Sequence, residues 1–462
     1  MLEDIDLSKN DQPKYRQLAN AIAERIQRGD LAAGERLPPQ RDIARSLGIN
    51  LTTVTRAFTA LQQSGLVEAR PGRGTQVASS EDGSQGDFQS APADVSGFID
   101  LAVNRPATSA YLEELAMVLP RLPKDRRFSN LQDYQVPEGP AWARSTIAAW
   151  LSKLAGTGEA NRVILTDGAQ HGLACVLAGV TQPADVILAD AITYQGINGI
   201  CRLRGLDLRG VPMDRDGMLP DALESACERW RPRAVFLVPS LHNPTATTLS
   251  ERRRRTIVAI LQRYNVLIIE DDVYRPLLDE QVPSFASLEP ELTIYISGLS
   301  KCVAPGLRLG FVVAPRALVG DVAGALRIDS WTVSPLTALI GTVMLEDGLV
   351  DTIIERHKEE IRLRQAIVRE LLGDLDLQTH ENSPQAWLHL PEPWRGNSFA
   401  RIAREKGVGV LAAEAFTVGR EAAPHAVRIN VGAARSRSDL RLALEKLAEL
   451  VNSGRPHLHD VT

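Results

Sequence analysis

Lys301 stands just past the apolar stretch Tyr295-Ile-Ser-Gly-Leu-Ser and just ahead of Pro305-Gly and Arg308. An amine held in such a place can have a lowered pKa and attack a carbonyl as the free base. A lone lysine after a strand proves nothing, because most simply point into solvent. What matters is the company it keeps. Apolar, β-branched runs recur at Val163-Ile-Leu-Thr, Val186-Ile-Leu, Ala234-Val-Phe-Leu-Val, Val266-Leu-Ile-Ile, Thr293-Ile-Tyr-Ile and Gly310-Phe-Val-Val, and chemistry-bearing residues follow them. Gly168-Ala169-Gln170 follows the first run and opens a helix, whose free N–H groups can hold a phosphate. Tyr194 follows the second run and is either a core residue or a ring that stacks on a planar ligand. Asn243 follows the third, before a proline. Asp271 and Tyr274 follow the fourth, a carboxylate and a phenol three residues apart.

Together these groups fit one ligand, pyridoxal 5′-phosphate. Lys301 would form the Schiff base. Asp271 would pair with the protonated pyridine nitrogen and make the ring an electron sink. Tyr274 and Asn243 would bond the ring hydroxyl, and Gly168, Ala169, Gln170 and Arg308 would hold the phosphate, arginine being its natural bidentate partner. Nothing in the pattern has metal-ligand spacing.

The elements that must position these groups are legible too. Runs of that kind are strands buried on both faces of a mostly parallel sheet, and ligands of such sheets gather beyond the carboxyl ends. The expected class is therefore two domains, with a large α/β domain over residues 98–455. Ahead of it, residues 79–97 are rich in Ser, Gly, Asp and Pro and read as a flexible tether.

Residues 1–78 read as a separate module. Leu18, Ile22 and Ile26 share one helical face over residues 14–28; a second helix runs from Arg41 to Leu47, and Asn50 can cap a third from Leu51 to Leu61. Two short helices joined by a tight turn are a helix-turn-helix, which would present Thr52, Thr53 and Arg56 to the major groove. Leu66–Val77 reads as two short strands around a Pro-Gly-Arg-Gly tip that can approach phosphates. A small helical bundle without nucleic acid is the bland alternative.

Totals agree with that division. The chain of 462 residues is 44% hydrophobic and 24% charged with net charge −5, ordinary for a soluble protein. Residues 14–78 nevertheless carry ten Lys and Arg against five Asp and Glu, so the basic character is local. The four cysteines are far apart, the N-terminus lacks the features of a signal peptide, and no apolar run is long enough to span a bilayer. A cytoplasmic protein with no membrane role is expected. Arg252–Arg255 follows Ser250-Glu and reads as a solvated helix start, and His242 reads as a supporting neighbour of Asn243 rather than a base.

Two resemblances sharpen these expectations. The string Gly34-Glu-Arg-Leu-Pro-Pro-Gln-Arg-Asp-Ile-Ala, through Thr53-Val-Thr-Arg-Ala and on to Arg70-Pro-Gly-Arg-Gly-Thr-Gln-Val77, resembles the winged helix of the GntR regulators. It implies a dimeric binder of double-stranded operator DNA, with Arg41, Arg56, Arg73 and Gly74 on the duplex. Asn243-Pro, Asp271-x-x-Tyr274, Ser-Lys301 and Pro-Gly-Leu-Arg308 resemble the class I/II aminotransferases of fold type I, over roughly residues 98–452. That likeness implies a homodimer, Tyr134 reaching the neighbouring subunit's phosphate, and Arg428 receiving a substrate carboxylate. Three positions depart from the pattern. Gly298 stands where Ser or Thr is usual, which removes a phosphate contact or moves it to Ser297; Ala246 replaces a glycine; and Asn104 stands in place of an N-terminal glycine. The joined architecture resembles the MocR regulators and implies a transcriptional regulator that responds to pyridoxal phosphate, to an amino compound captured as an aldimine, or to both. A working aminotransferase with an appended DNA module is the alternative.

Overall fold

The computed structural model describes residues 13–28, 30–31, 35–63, 66–70, 74–77, 97–107, 110–280, 282–419 and 422–454. The chain divides into two compact units, residues 1–89 with 420–424 and residues 90–419 with 425–462. Most of the expected tether, residues 79–96, lies outside the described residues.

The small unit has three helices, α1 (Lys14–Arg28), α2 (Gln40–Ser46) and α3 (Leu51–Gln63), and a hairpin of β1 (Val67–Arg70) and β2 (Gly74–Val77). Leu18, Ile22 and Ile26 of α1 are buried against Ile43, Val54, Phe58 and Leu61, as the spacing of apolar residues requires. Asn50 caps α3 as expected: its Oδ1 accepts from the Thr52 amide at 3.0 Å and the Thr52 hydroxyl at 2.9 Å.

In the large unit β3 (Ile99–Asp100) comes first. It is followed by β4 (Val163–Thr166), β5 (Val186–Asp190), β6 (Asp207–Val211), a small hairpin of β7 (Met213–Asp214) and β8 (Gly217–Met218), then β9 (Ala234–Leu237), β10 (Leu267–Asp271), β11 (Thr293–Gly298) and β12 (Gly310–Val313). The main sheet has seven strands in the order β4-β12-β11-β10-β9-β5-β6. All pairs are parallel except those of β12, which runs against both neighbours. Every apolar run read as a strand is one. The edge strand β6 was missed because its half-buried Asp-Leu-Arg-Gly-Val carries no such run. A second sheet, β13 (Leu377–Thr379), β14 (Gln385–His389), β16 (Leu411–Ala412) and β17 (Ala426–Asn430), has the order β13-β14-β17-β16. Beside it, β3 pairs in parallel with β15 (Val408–Gly409). Among the described residues no helix is long and apolar enough to cross a membrane.

The end of β10 carries three consecutive buried acids, and the strand's alternation separates their tasks. Glu270 accepts from the amides of Phe285 at 3.0 Å and Ala286 at 2.9 Å and lies 3.4 Å from Arg254 of helix α5 (Glu251–Tyr264). Asp272 holds Arg275 at 3.1 Å. Only Asp271, between them, is left for the site. Arg254 is wholly buried, so the expectation of a solvated run at 252–255 fails at this residue. Its neighbour Arg253 donates to the Met218 carbonyl at 2.8 Å, and Arg255 pairs with Glu251. Removing one partner from a buried ion pair strands the other charge. Arg254→Ala should therefore cost the large unit about 3–5 kcal/mol. Urea denaturation followed by tryptophan fluorescence reads this unit alone, since Trp142, Trp150, Trp230, Trp331, Trp387 and Trp394 all lie in it.

Candidate functional site

Five of the expected groups come from carboxyl ends of parallel strands: Gly168 beyond β4, Tyr194 beyond β5, Asn243 beyond β9, Asp271 at the end of β10 and Lys301 beyond β11. Because β12 is antiparallel, its beginning lies at this same edge, which brings in Arg308 from just before it. Two glycines make the approach possible. A Cβ at Gly310 would stand 2.4 Å from the Gly168 carbonyl carbon, and one at Gly168 would stand 2.9 Å from the Arg308 guanidinium. Gly168 also has φ +86°, which side chains rarely adopt. Arg308 Nη2 donates to the Asp167 carbonyl at 2.6 Å, so its guanidinium rests at the turn that opens helix α4 (Ala169–Val180). Gln170, in the first turn of that helix, accepts at 3.1 Å from the Tyr194 hydroxyl. Burial, with Asp271 next, pushes that phenol up to about 12.

Lys301 Nζ donates to the Asn104 carbonyl at 3.0 Å. Burial first and Arg428 second lower its amine to about 8, against a pull upward from Asp271. Asp271 is itself raised to about 7 by burial and by neighbouring Asp272, and its Oδ1 is buried with no hydrogen-bond partner. Tyr274, buried and therefore held well above the usual phenol range, accepts from Asn104 Nδ2. Arg428 of β17 donates to Asn243 Oδ1 at 2.9 Å and to the Ala102 carbonyl, with its guanidinium 4.9 Å from the centre of the Phe416 ring. Lys301 thus feels the charges of Arg428, Asp271 and Arg308 together.

These residues fit pyridoxal phosphate. The unmatched Asp271 oxygen calls for a cationic N–H donor, such as a protonated pyridine nitrogen. The glycine turn at 168, the first amides of α4 and Arg308 form a cradle for a phosphate. Lys301 supplies an amine that is partly unprotonated near neutral pH.

The departures take definite form. A Cβ at Gly298 would stand 3.0 Å from the Leu309 carbonyl oxygen and 3.7 Å from the Ala169 amide nitrogen, so a hydroxyl carried there would lie beside the cradle. Ser297 does not replace it: its hydroxyl donates to the Asp272 carbonyl at 3.3 Å, on the other side of β11. Ser300, directly before the lysine, has a buried Oγ without a partner, and its residue type alone gave no sign of that. Asn104 is the other residue underrated from sequence, since it touches both Lys301 and Tyr274. Phe416 had no sequence signal at all. His242 keeps a supporting place: Nδ1 lies 2.8 Å from Thr245 Oγ1 and burial lowers the ring to about 3, which makes it a poor proton store.

Tyr134 is not brought to this cluster. It is 88% exposed and leans on Trp331, 5.5 Å away between ring centres. In the small unit Arg41 and Thr52 are exposed and Thr53 is partly so. Arg56 is exposed too, with its guanidinium 4.6 Å above the Tyr15 ring. Gly74 begins β2, while Arg73 lies outside the described residues.

Comparison with known proteins gives two family matches, aminotransferase class I and II over residues 96–447 and the gntR family of bacterial regulatory proteins over residues 14–77. An uncharacterized HTH-type transcriptional regulator of Bacillus subtilis, YdeF, is 30% identical over 96% of either chain. The vitamin B6 salvage pathway transcriptional repressor PtsJ of Salmonella typhimurium is 27% identical over 90% of this chain and 93% of its own. In structure, the α-aminoadipate aminotransferase LysN of Thermus thermophilus aligns with TM-score 0.70 at 23% identity, over 78% of this chain and 93% of that one.

With Lys301 depressed to about 8, the rate at which pyridoxal phosphate is covalently captured should climb about tenfold per pH unit below that value and level off above it. Reductive trapping and mass spectrometry measure the rate. Lys301→Ala should abolish the adduct; an adduct on another lysine would show the assignment to be wrong.

Proposed function

The chain belongs to the class I and II aminotransferase family and carries a gntR-family module at its N-terminal side, and from that premise we propose that it is a transcriptional regulator governed by pyridoxal phosphate. It binds promoter DNA through α3 and the β1–β2 wing, and it responds to the cofactor alone or together with an amino compound. The observation that supports this most is the presence, in one chain, of an exposed start to α3 and a complete Lys301–Asp271–Arg308 set. The likeness to a repressor named for vitamin B6 salvage points the same way.

When bound, the cofactor offers an aldehyde to amines and a ring that draws electrons. The chain's own residues do the rest. Asp271 holds the positive charge of a ring nitrogen, Gly168, Ala169, Gln170 and Arg308 take the phosphate, and Tyr194 flanks the ring. Arg428 is the receiver for a carboxylate, since its present acceptors, Asn243 Oδ1 and a backbone carbonyl, are both neutral. A response on DNA requires that ligand favour one arrangement of the molecule over another. A homodimer serves that need by pairing two DNA-reading helices. Exposed Leu112, Met117, Tyr134, Ile328 and Trp331 on the large unit are the apolar surface available for it. Residues 79–97 serve as the tether, 1–78 as the DNA module, 98–455 as the sensor, and the cytoplasm as the place of work.

Transamination is the second reading, favoured by the retained Lys301, Tyr274 and Arg428. Purified protein should bind its own upstream DNA with an affinity that falls as salt rises, and Arg56→Ala should weaken that binding by about tenfold or less. Fluorescence anisotropy, with and without pyridoxal phosphate and an amine, checks both. Sustained turnover of an amine with a 2-oxo acid, with DNA affinity indifferent to the cofactor, would overturn the regulator in favour of the enzyme.

A further inference from the structure

Residues 102–104 run between two clamps. On one side Leu101 donates its amide to the Gly409 carbonyl at 2.8 Å and accepts from the Asn430 amide at 2.8 Å. On the other, Arg105 Nε donates to the Ala433 carbonyl at 3.2 Å, and Gly432 packs so close that a Cβ would stand 2.3 Å from the Arg105 carbonyl oxygen. The short arc between them reaches into the site three times. The Ala102 carbonyl takes Arg428, the Asn104 carbonyl takes Lys301 at 3.0 Å, and the Asn104 carboxamide donates to the Tyr274 hydroxyl.

Resting on the reading of the site as an amine and carboxylate receptor, we propose that residues 102–104 are a built-in occupant of the carboxylate subsite and that Asn104 sets how tightly they hold it. Arg428 Nε is buried without a partner, and a ligand carboxylate that pairs with it and Nη2 together displaces the Ala102 carbonyl and shifts the arc. The bond to Lys301 is surrendered to any cofactor. The bond to Tyr274 is different, because it comes from the side chain and a glycine at this position would lack it. Asn104 therefore raises the threshold for ligands that carry a carboxylate and leaves amines without one unopposed.

Loaded with pyridoxal phosphate, the wild type and Asn104→Gly are titrated with L-glutamate, L-alanine and methylamine by the visible absorbance of the cofactor. One neutral side-chain hydrogen bond corresponds to about fivefold in an equilibrium. Asn104→Gly should bind the two amino acids about fivefold more tightly and methylamine as before. Unchanged amino-acid affinity, or an equal gain for methylamine, overturns the proposal. Acetate, a carboxylate without an amine, separates this idea from the one beneath it. Faster hydrogen exchange of the 102–104 amides in acetate, with no amine altering the absorbance, keeps the occupant and removes the response to amino compounds. Exchange that neither acetate nor glutamate alters sinks the occupant, whatever the amines do.

Discussion

A carboxyl group buried with one oxygen unmatched is the constraint around which this site is arranged. Desolvation alone would make Asp271 costly, and Asp272 beside it makes matters worse. The fold accepts that cost because Glu270 and Asp272 are each given an arginine of their own, Arg254 and Arg275. Asp271 is then the one carboxylate of the three turned towards Lys301, and a cation delivered to its free oxygen recovers what burial took away. Lys301 carries the complementary problem, depressed first by burial and then by Arg428 and Arg308. An anionic ligand with a cationic ring relieves both strains at once.

Much of this was readable from residue types at strand ends. Apolar runs are visible in sequence because a strand buried on both faces tolerates almost nothing else, and the residues after them are necessarily at the ligand-binding edge. Arg308 was assigned on the same reasoning, although its strand is antiparallel and contributes its beginning rather than its end. What could not be read is what depends on contacts between distant segments. Asn104 meets Tyr274 across 170 positions, and Arg428 meets Asn243 across 185. Neither spacing repeats, so neither leaves a pattern. The burial of Arg254 was likewise hidden, because a run of arginines at a helix start looks the same in sequence whether one of them turns inward or none does.

The small unit illustrates the opposite case. Its helices are short, yet the four-residue spacing of Leu18, Ile22 and Ile26 and the Asn50 cap specify them locally, so sequence and structure agree there almost residue by residue. Arg56 shows the limit even here: its guanidinium rests on the Tyr15 ring, a cation–π contact between residues far apart in the chain.

Gly298 bears on time rather than on geometry. A hydroxyl carried at that position would lie beside the α4 cradle. One hydrogen bond fewer to an anionic group, about 1.5 kcal/mol, shortens a residence time roughly tenfold. For a catalyst that keeps its cofactor for life, that is a loss. A reporter of the cofactor pool has to release what it measures before the next reading, and a grip loosened by one contact raises the frequency at which it can follow change.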